Sequence, residues 1–263
     1  MKAIAQTLRD VSWIFRQELR IARRDSTIFA IMFVMPFVVL YLVAPAMRPA
    51  LIQQGFAEAS GAEQAMPGMA VLFSNFAMAF LAFAVFREHT WSTWDRLMIA
   101  PFSRFSVLAG KALLPFFAVV AQQLTLLAAA SIVFDVKING AGFIAYLALS
   151  FALAAFAVCA GLALTAWLAS LQEINSIVNI GTFVLAGVGG AFGPIELMPA
   201  WIQSISVLSP NFWAIDGFKQ VLLNDAGIGA VLPGAAILLG CAAACLALAL
   251  MGLAGEREKR AWA

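Results

Sequence analysis

Apolar residues run almost unbroken in six places along the chain, at residues 28–47, 69–86, 107–134, 143–171, 174–192 and 231–253. A helix rises about 1.5 Å per residue, so about 20 residues cross a hydrocarbon core of about 30 Å. Backbone groups find no water inside such a core, which leaves helices or a closed barrel, and a barrel would show short alternating strands in place of continuous runs. The pattern therefore predicts six transmembrane helices. Ahead of them Ile4, Leu8, Val11, Phe15, Leu19 and Ala22 recur at helical spacing, while Arg9, Arg16, Gln17, Arg20, Arg23 and Arg24 take other positions. This segment, residues 1–27, reads as an amphipathic helix lying flat in the interface, arginines toward anionic headgroups and apolar stripe toward the acyl boundary. An ordinary soluble helix is the alternative. The expected fold is thus all-α and integral to the membrane, one domain over residues 1–263 with a six-span bundle at 28–253 and a tail at 254–263.

Composition sharpens this reading. Hydrophobic residues make up 63% of the chain and charged residues 11%, against about half and a quarter in an ordinary soluble domain, so much of the excess must face lipid. The net charge of +2 is scattered between apolar runs, which argues against a nucleic-acid partner. Its distribution instead sets orientation, because cytoplasmic connections retain lysine and arginine. With the N-terminus inside, six fall in residues 1–27, four in the connection after the second run (Arg87, Arg96, Arg104, Lys111) and three in the tail, against Arg48, Lys137 and Lys219 on the far side. Both termini are expected in the cytoplasm. Cys159, Cys241 and Cys245 all lie within apolar runs and read as small hydrophobes; with a single histidine in the chain, neither a disulfide nor a metal site is expected.

Candidate chemistry is sparse. Gly110-Lys111 is followed by Ala112 and has Phe105 where a phosphate-binding loop needs glycine, so this chain holds no nucleotide in that way and no catalytic activity is expected of it. His89 sits beside Glu88 in a polar connection, away from any buried serine. Asp135, Glu173, Glu196, Asp216 and Asp225 fall near the ends of runs, which leaves no proton relay within the spans. Ser74, Asn75, Gln122, Gln123, Thr125, Asn175, Asn179 and Thr182 are among the polar residues inside spans; each either hydrogen-bonds a neighbouring helix or touches a substrate.

Two stretches carry a resemblance. One is Arg87-Glu88-His89-Thr90-Trp91-Ser92-Thr93-Trp94-Asp95-Arg96, continuing through Pro101-Phe102-Ser103-Arg104 to Gly110-Lys111. The other is Pro194-Ile195-Glu196-Leu197-Met198-Pro199-Ala200-Trp201, continuing to Pro210-Asn211-Phe212-Trp213. Both resemble the membrane subunits of ABC exporters of the ABC-2 type. That resemblance implies a bacterial inner-membrane permease in which the first stretch forms a coupling helix docked on a separate ATPase subunit, with Glu88, Thr90, Trp94, Asp95 and Arg96 in that role. ATP and Mg would then be bound by the partner, and none by this chain. It implies pairing with a second copy or a sister permease, a substrate path bordered by Asn75, Asn179 and Thr182, and short re-entrant helices between spans five and six forming an outer gate at Pro199, Trp201, Pro210 and Trp213. From the residues alone, a basic loop skimming the membrane is the lesser alternative for the first stretch, and the second reads equally as an interfacial aromatic belt. The expected cargo is a hydrophobic or amphipathic compound such as a drug, natural product or lipid. Export of a lipid-linked glycan, or a scaffold or carrier outside this family, are the alternatives.

Overall fold

The structure is a computed structural model and describes residues 2–24, 27–91, 99 and 103–254. Its helices are α1 (Lys2–Ala22), α2 (Thr27–Gln53), α3 (Ala62–Ser74), α4 (Phe76–Thr90), α5 (Arg104–Phe134), α6 (Gly140–Trp167), α7 (Leu171–Val188), α8 (Ala200–Ser206), α9 (Pro210–Asn224) and α10 (Ile228–Ala254), with a 3-10 turn at Ile195–Leu197. No strand occurs among the described residues. Among the described residues, six stretches are long and apolar enough to cross a membrane: Phe29–Gln53, Ala62–Glu88, Phe105–Phe134, Gly140–Trp167, Leu171–Val188 and Ile228–Gly252. The all-helical fold, the N-terminal helix and the six spans read from the apolar runs are all present.

The second span starts seven residues earlier than its apolar run, at Ala62, because polar residues there serve the helix start. The Glu63 carboxylate accepts hydrogen bonds from the Ser60 and Gly61 amides and the Ser60 hydroxyl, closing the turn that would otherwise read as a loop. Gly61 holds φ of 95° and lies so close to α2 that a Cβ would fall 2.0 Å from the Ala44 carbonyl oxygen, so only glycine fits this turn. At Asn75 the regular helical bonding is interrupted for one residue between α3 and α4, with the backbone still right-handed at φ −64° and ψ −24°, and together these form the most deeply buried span of the bundle.

Around that central span, α2 packs on α3, α6 and α5 flank α4, and α10 lies along α6. Polar contacts hold the break in place. Gln123 Nε2 donates to Ser74 Oγ at 2.7 Å and to the Ala70 carbonyl at 3.2 Å, and Tyr146 donates its hydroxyl proton toward the Gln123 carbonyl at 3.0 Å and side-chain oxygen at 3.2 Å. Ser74, Gln122 and Gln123 therefore do what buried polar residues in spans commonly do, which is to join helices. Three of the acids at the ends of runs serve helix ends. Asp135 and Asp225 end α5 and α9 in the left-handed conformation, and Glu173 forms a capping box with Ser170 at the start of α7.

α6 and α7 are joined by three residues, and Trp167 at the end of α6 donates its indole N–H to the Leu248 carbonyl of α10 at 2.8 Å. α7 buries Leu171, Ile174, Val178, Thr182 and Ala186 at helical spacing while exposing Ile177, Ile180, Phe183 and Val184. Past it, α9 returns into the bundle, packed against α3, α6 and α10, whereas α8 stays at the surface.

Candidate functional site

α1 does not simply rest beside the bundle. Ile14, Glu18 and Ala22, four residues apart, are all buried, and Phe15 meets Phe117 of α5 edge-on with centroids 6.1 Å apart. Gly110 makes the approach possible, since a Cβ there would sit 2.6 Å from Ile14 Cβ and 3.1 Å from the Val11 carbonyl oxygen. The glycine of Gly110-Lys111 is thus required by the crossing of α1 over α5, and the lysine by the two buried carboxylates it meets.

Glu18 enters the protein with its carboxylate 3% exposed, Lys111 is 1% exposed, and Glu88 at the end of α4 is 3% exposed. The Lys111 ammonium donates to Glu18 at 2.5 Å, to Glu88 at 2.8 Å and to the Ala84 carbonyl at 2.9 Å, which uses all three of its N–H groups. Arg87 donates to the second Glu18 oxygen at 2.5 Å and lays its guanidinium over the Trp91 ring, 5.3 Å from the centroid. Two cations and two anions from three helices thus form a neutral junction just before the connection from α4 to α5. Separating such a buried set from its partners costs far more than an exposed pair would, because each stranded charge has lost its water. Beyond the junction, Ser103 caps α5, its hydroxyl oxygen accepting from the Ser106 amide at 3.0 Å.

The residues singled out in the sequence fall in different places. Glu88 is in the junction, bonded inward to Lys111. Thr90 ends α4, and Trp94, Asp95 and Arg96 lie outside the described residues. Asn75 is 1% exposed at the break in span two, with neither side-chain amide atom hydrogen-bonded. Thr182 is on the buried face of α7, whereas Asn179, about 60° round the same helix, is exposed and donates to its own helix at the Asn175 carbonyl, 2.8 Å away. Within a single chain Asn75 is thus buried and Asn179 is not. Pro199 precedes α8 and Pro210 opens α9, while Trp213 donates its indole N–H to the Val207 carbonyl at 2.8 Å, closing the turn between them. Trp201 is 64% exposed.

Sequence reasoning missed Glu18 and its pairing with Lys111. The signal was a carboxylate four residues from Ile14 and from Ala22 on a helix otherwise rich in arginine, but its partner lies 93 residues away, beyond any local pattern.

A helical chain with six membrane-length spans, whose N-terminal helix is ionically fastened to the facing ends of the second and third, is a polytopic membrane protein built to tie a connecting segment to its bundle. It belongs to the ABC-2 type transporter family, whose model matches residues 9–223. The chain is similar to the linearmycin resistance permease protein of Bacillus subtilis (strain 168), 27% identical over 197 residues, which cover 75% of this chain and 51% of that protein. It is also similar to a probable multidrug ABC transporter permease of Escherichia coli (strain K12), 26% identical over 156 residues, 59% of this chain and 42% of that one. The matches thus span about half the length of these curated relatives. The family resemblance read from the two sequence stretches is borne out.

Proposed function

We propose that this chain is the membrane subunit of an ATP-driven exporter, with its ATPase on a separate polypeptide docked at the connection between α4 and α5. The observation that carries this reading is the junction of Glu18, Arg87, Glu88 and Lys111. It roots that connection in three helices at once, so that a push applied there moves α1, α4 and α5 together. The thirteen lysines and arginines that an inside N-terminus assigns to that side support a cytoplasmic location for the junction. The host membrane is then the bacterial inner membrane.

In this mechanism ATP draws two ATPases together, the connection shifts, and the broken second span passes the motion toward the far end, exchanging inward for outward access. Thr90, Trp94, Asp95 and Arg96 provide the docking surface, and Glu88 holds it from behind through Lys111. A second copy or a sister permease covers the exposed face of α7, where Asn179 would otherwise hold an amide against lipid beside Ile177, Ile180 and Phe183. That pairing brings Asn179 of both chains to the shared axis near Asn75 and Thr182, with Pro199, Trp201, Pro210 and Trp213 gating the exit. A path with so little charge suits a hydrophobic or amphipathic compound, in keeping with the resistance and multidrug names of the two relatives.

The test is gentle extraction from the native host followed by native mass spectrometry. Two chains of this mass together with two ATPase subunits are expected. Recovery of this chain without any ATPase would overturn the exporter reading.

A further inference from the structure

At the end of the bundle opposite the junction, a cavity of about 20 Å³ lies between the start of α3, the turns that follow α7, and α9. It has room for one water-sized occupant. Its polar side chains are Gln64, Glu196, Asp216 and Lys219. Gln64, in the first turn of α3, is 1% exposed, and its side-chain oxygen accepts no hydrogen bond. Burying an amide oxygen without a donor is costly, so an occupant that satisfies it is favoured. Asp216, half-buried on α9, accepts from Gln220 Nε2 at 2.8 Å through Oδ2, and Glu196, exposed in the 3-10 turn, accepts from Gln54 Nε2 at 3.4 Å through Oε2. Each carboxylate thus keeps one oxygen without a hydrogen bond. Lys219 forms no ion pair or hydrogen bond among the described residues, although two carboxylates line the cavity with it. The remaining wall includes Gly189, Gly190 and Gly193, which offer backbone where other residues would offer side chains.

We propose that this cavity binds a small, hard divalent cation of the calcium class. Apart from Lys219, the groups it leaves unused are oxygens: one amide and two carboxylates beside a wall of backbone. Calcium takes such mixed oxygen sets, completes its shell with water on an open side, and tolerates irregular geometry better than magnesium does. Two carboxylates balance its charge once Lys219 turns outward on its flexible four-carbon stem. Lys219 is then a tethered competitor, since its ammonium and the metal seek the same carboxylates. A metal held here joins the start of the second span to the 3-10 turn and to α9, fastening the segment between α7 and α9 at the end remote from the junction. The inference needs only the folded chain and stands apart from the exporter reading.

The full-length protein in detergent is stripped with a chelator, and its unfolding temperature is followed against calcium chloride, with sodium chloride of equal ionic strength as the blank. A calcium-specific rise is expected, setting in at on the order of 0.1–1 mM. Asp216→Asn should move that onset upward about tenfold, the worth of one unit charge close to a divalent ion in a water-like medium. Glu196→Gln, on the exposed turn, should act in the same direction and serves if the Asp216 variant does not accumulate. Lys219→Gln should move the onset downward by a similar factor. A purely structural role for these side chains would shift the unfolding temperature without calcium and leave the onset alone. No calcium-specific rise in the wild type, an onset unmoved by loss of either carboxylate, or an onset that fails to fall in Lys219→Gln overturns the proposal.

Discussion

Lys111 holds two buried carboxylates and a backbone carbonyl together. Replacing it with methionine leaves the Glu18 and Glu88 carboxylates facing each other in a buried space, with a cost of about 3–5 kcal/mol. The expected result for Lys111→Met is a marked fall in the unfolding temperature of the detergent-solubilised protein. Adding Glu88→Gln to Lys111→Met should recover part of the loss, because Glu18 keeps Arg87 while the carboxylate that lost its lysine is then neutral; strictly additive effects would show that the two groups do not interact. Tyr146→Phe removes only the hydroxyl that reaches Gln123 and should cost about 1 kcal/mol, measured the same way. Glu18 shows the limit of reading at this scale. Its neighbours mark it as unusual, but nothing within a few residues reveals a cation 93 positions away.

At the scale of elements, the long apolar runs made the spans legible, since only helices of that length satisfy the backbone in lipid. Their ends were less legible wherever polar side chains do structural work. Glu63 belongs to the start of α3 yet reads as connection, and Ser170 caps the start of α7 yet falls inside the apolar run at 143–171. The N-terminal helix was visible as amphipathic, but the side packed on α5 is rotated away from the centre of the apolar stripe, because the junction and the close passage at Gly110 decide which side turns inward. Gly110→Val is therefore expected to lift α1 from α5 and unseat Glu18. Cysteines placed at Phe15 and at Phe117, whose rings meet across the crossing, should then cross-link more slowly than in the parent chain, and an unchanged rate would show that the crossing tolerates a side chain. The break at Asn75 was not legible, as the sequence there continues apolar on both sides.

For the whole molecule, the candidate site was legible as a segment and only partly as residues. The connection from Glu88 onward stood out by its tryptophans and charges, whereas the support beneath it depends on three helices meeting. Two predictions belong here. Cysteine at Asn179 should form a dimer with a second copy in native membranes, while cysteine at Ile132, exposed on α5, should not; equal cross-linking at both positions would remove α7 as the pairing face. On the exporter reading proposed above, Glu88→Gln should leave co-purification of an ATPase largely intact and lower the stimulation of ATP hydrolysis by cargo, because the proposed docking surface would persist while its support is weakened. Full coupling in this variant would place the path of force elsewhere.

The junction also imposes an order on synthesis. Glu18 leaves the ribosome 69 residues before Arg87 and 93 before Lys111. At about 5–20 residues per second, its carboxylate waits on the order of 5–20 seconds for the lysine. Late in that interval the second span is already made, but Glu88 and Glu18 have only one junction cation, Arg87, between them. The N-terminal helix therefore cannot take its final place when it is born; it has to linger at the membrane surface until the third span arrives to lock it.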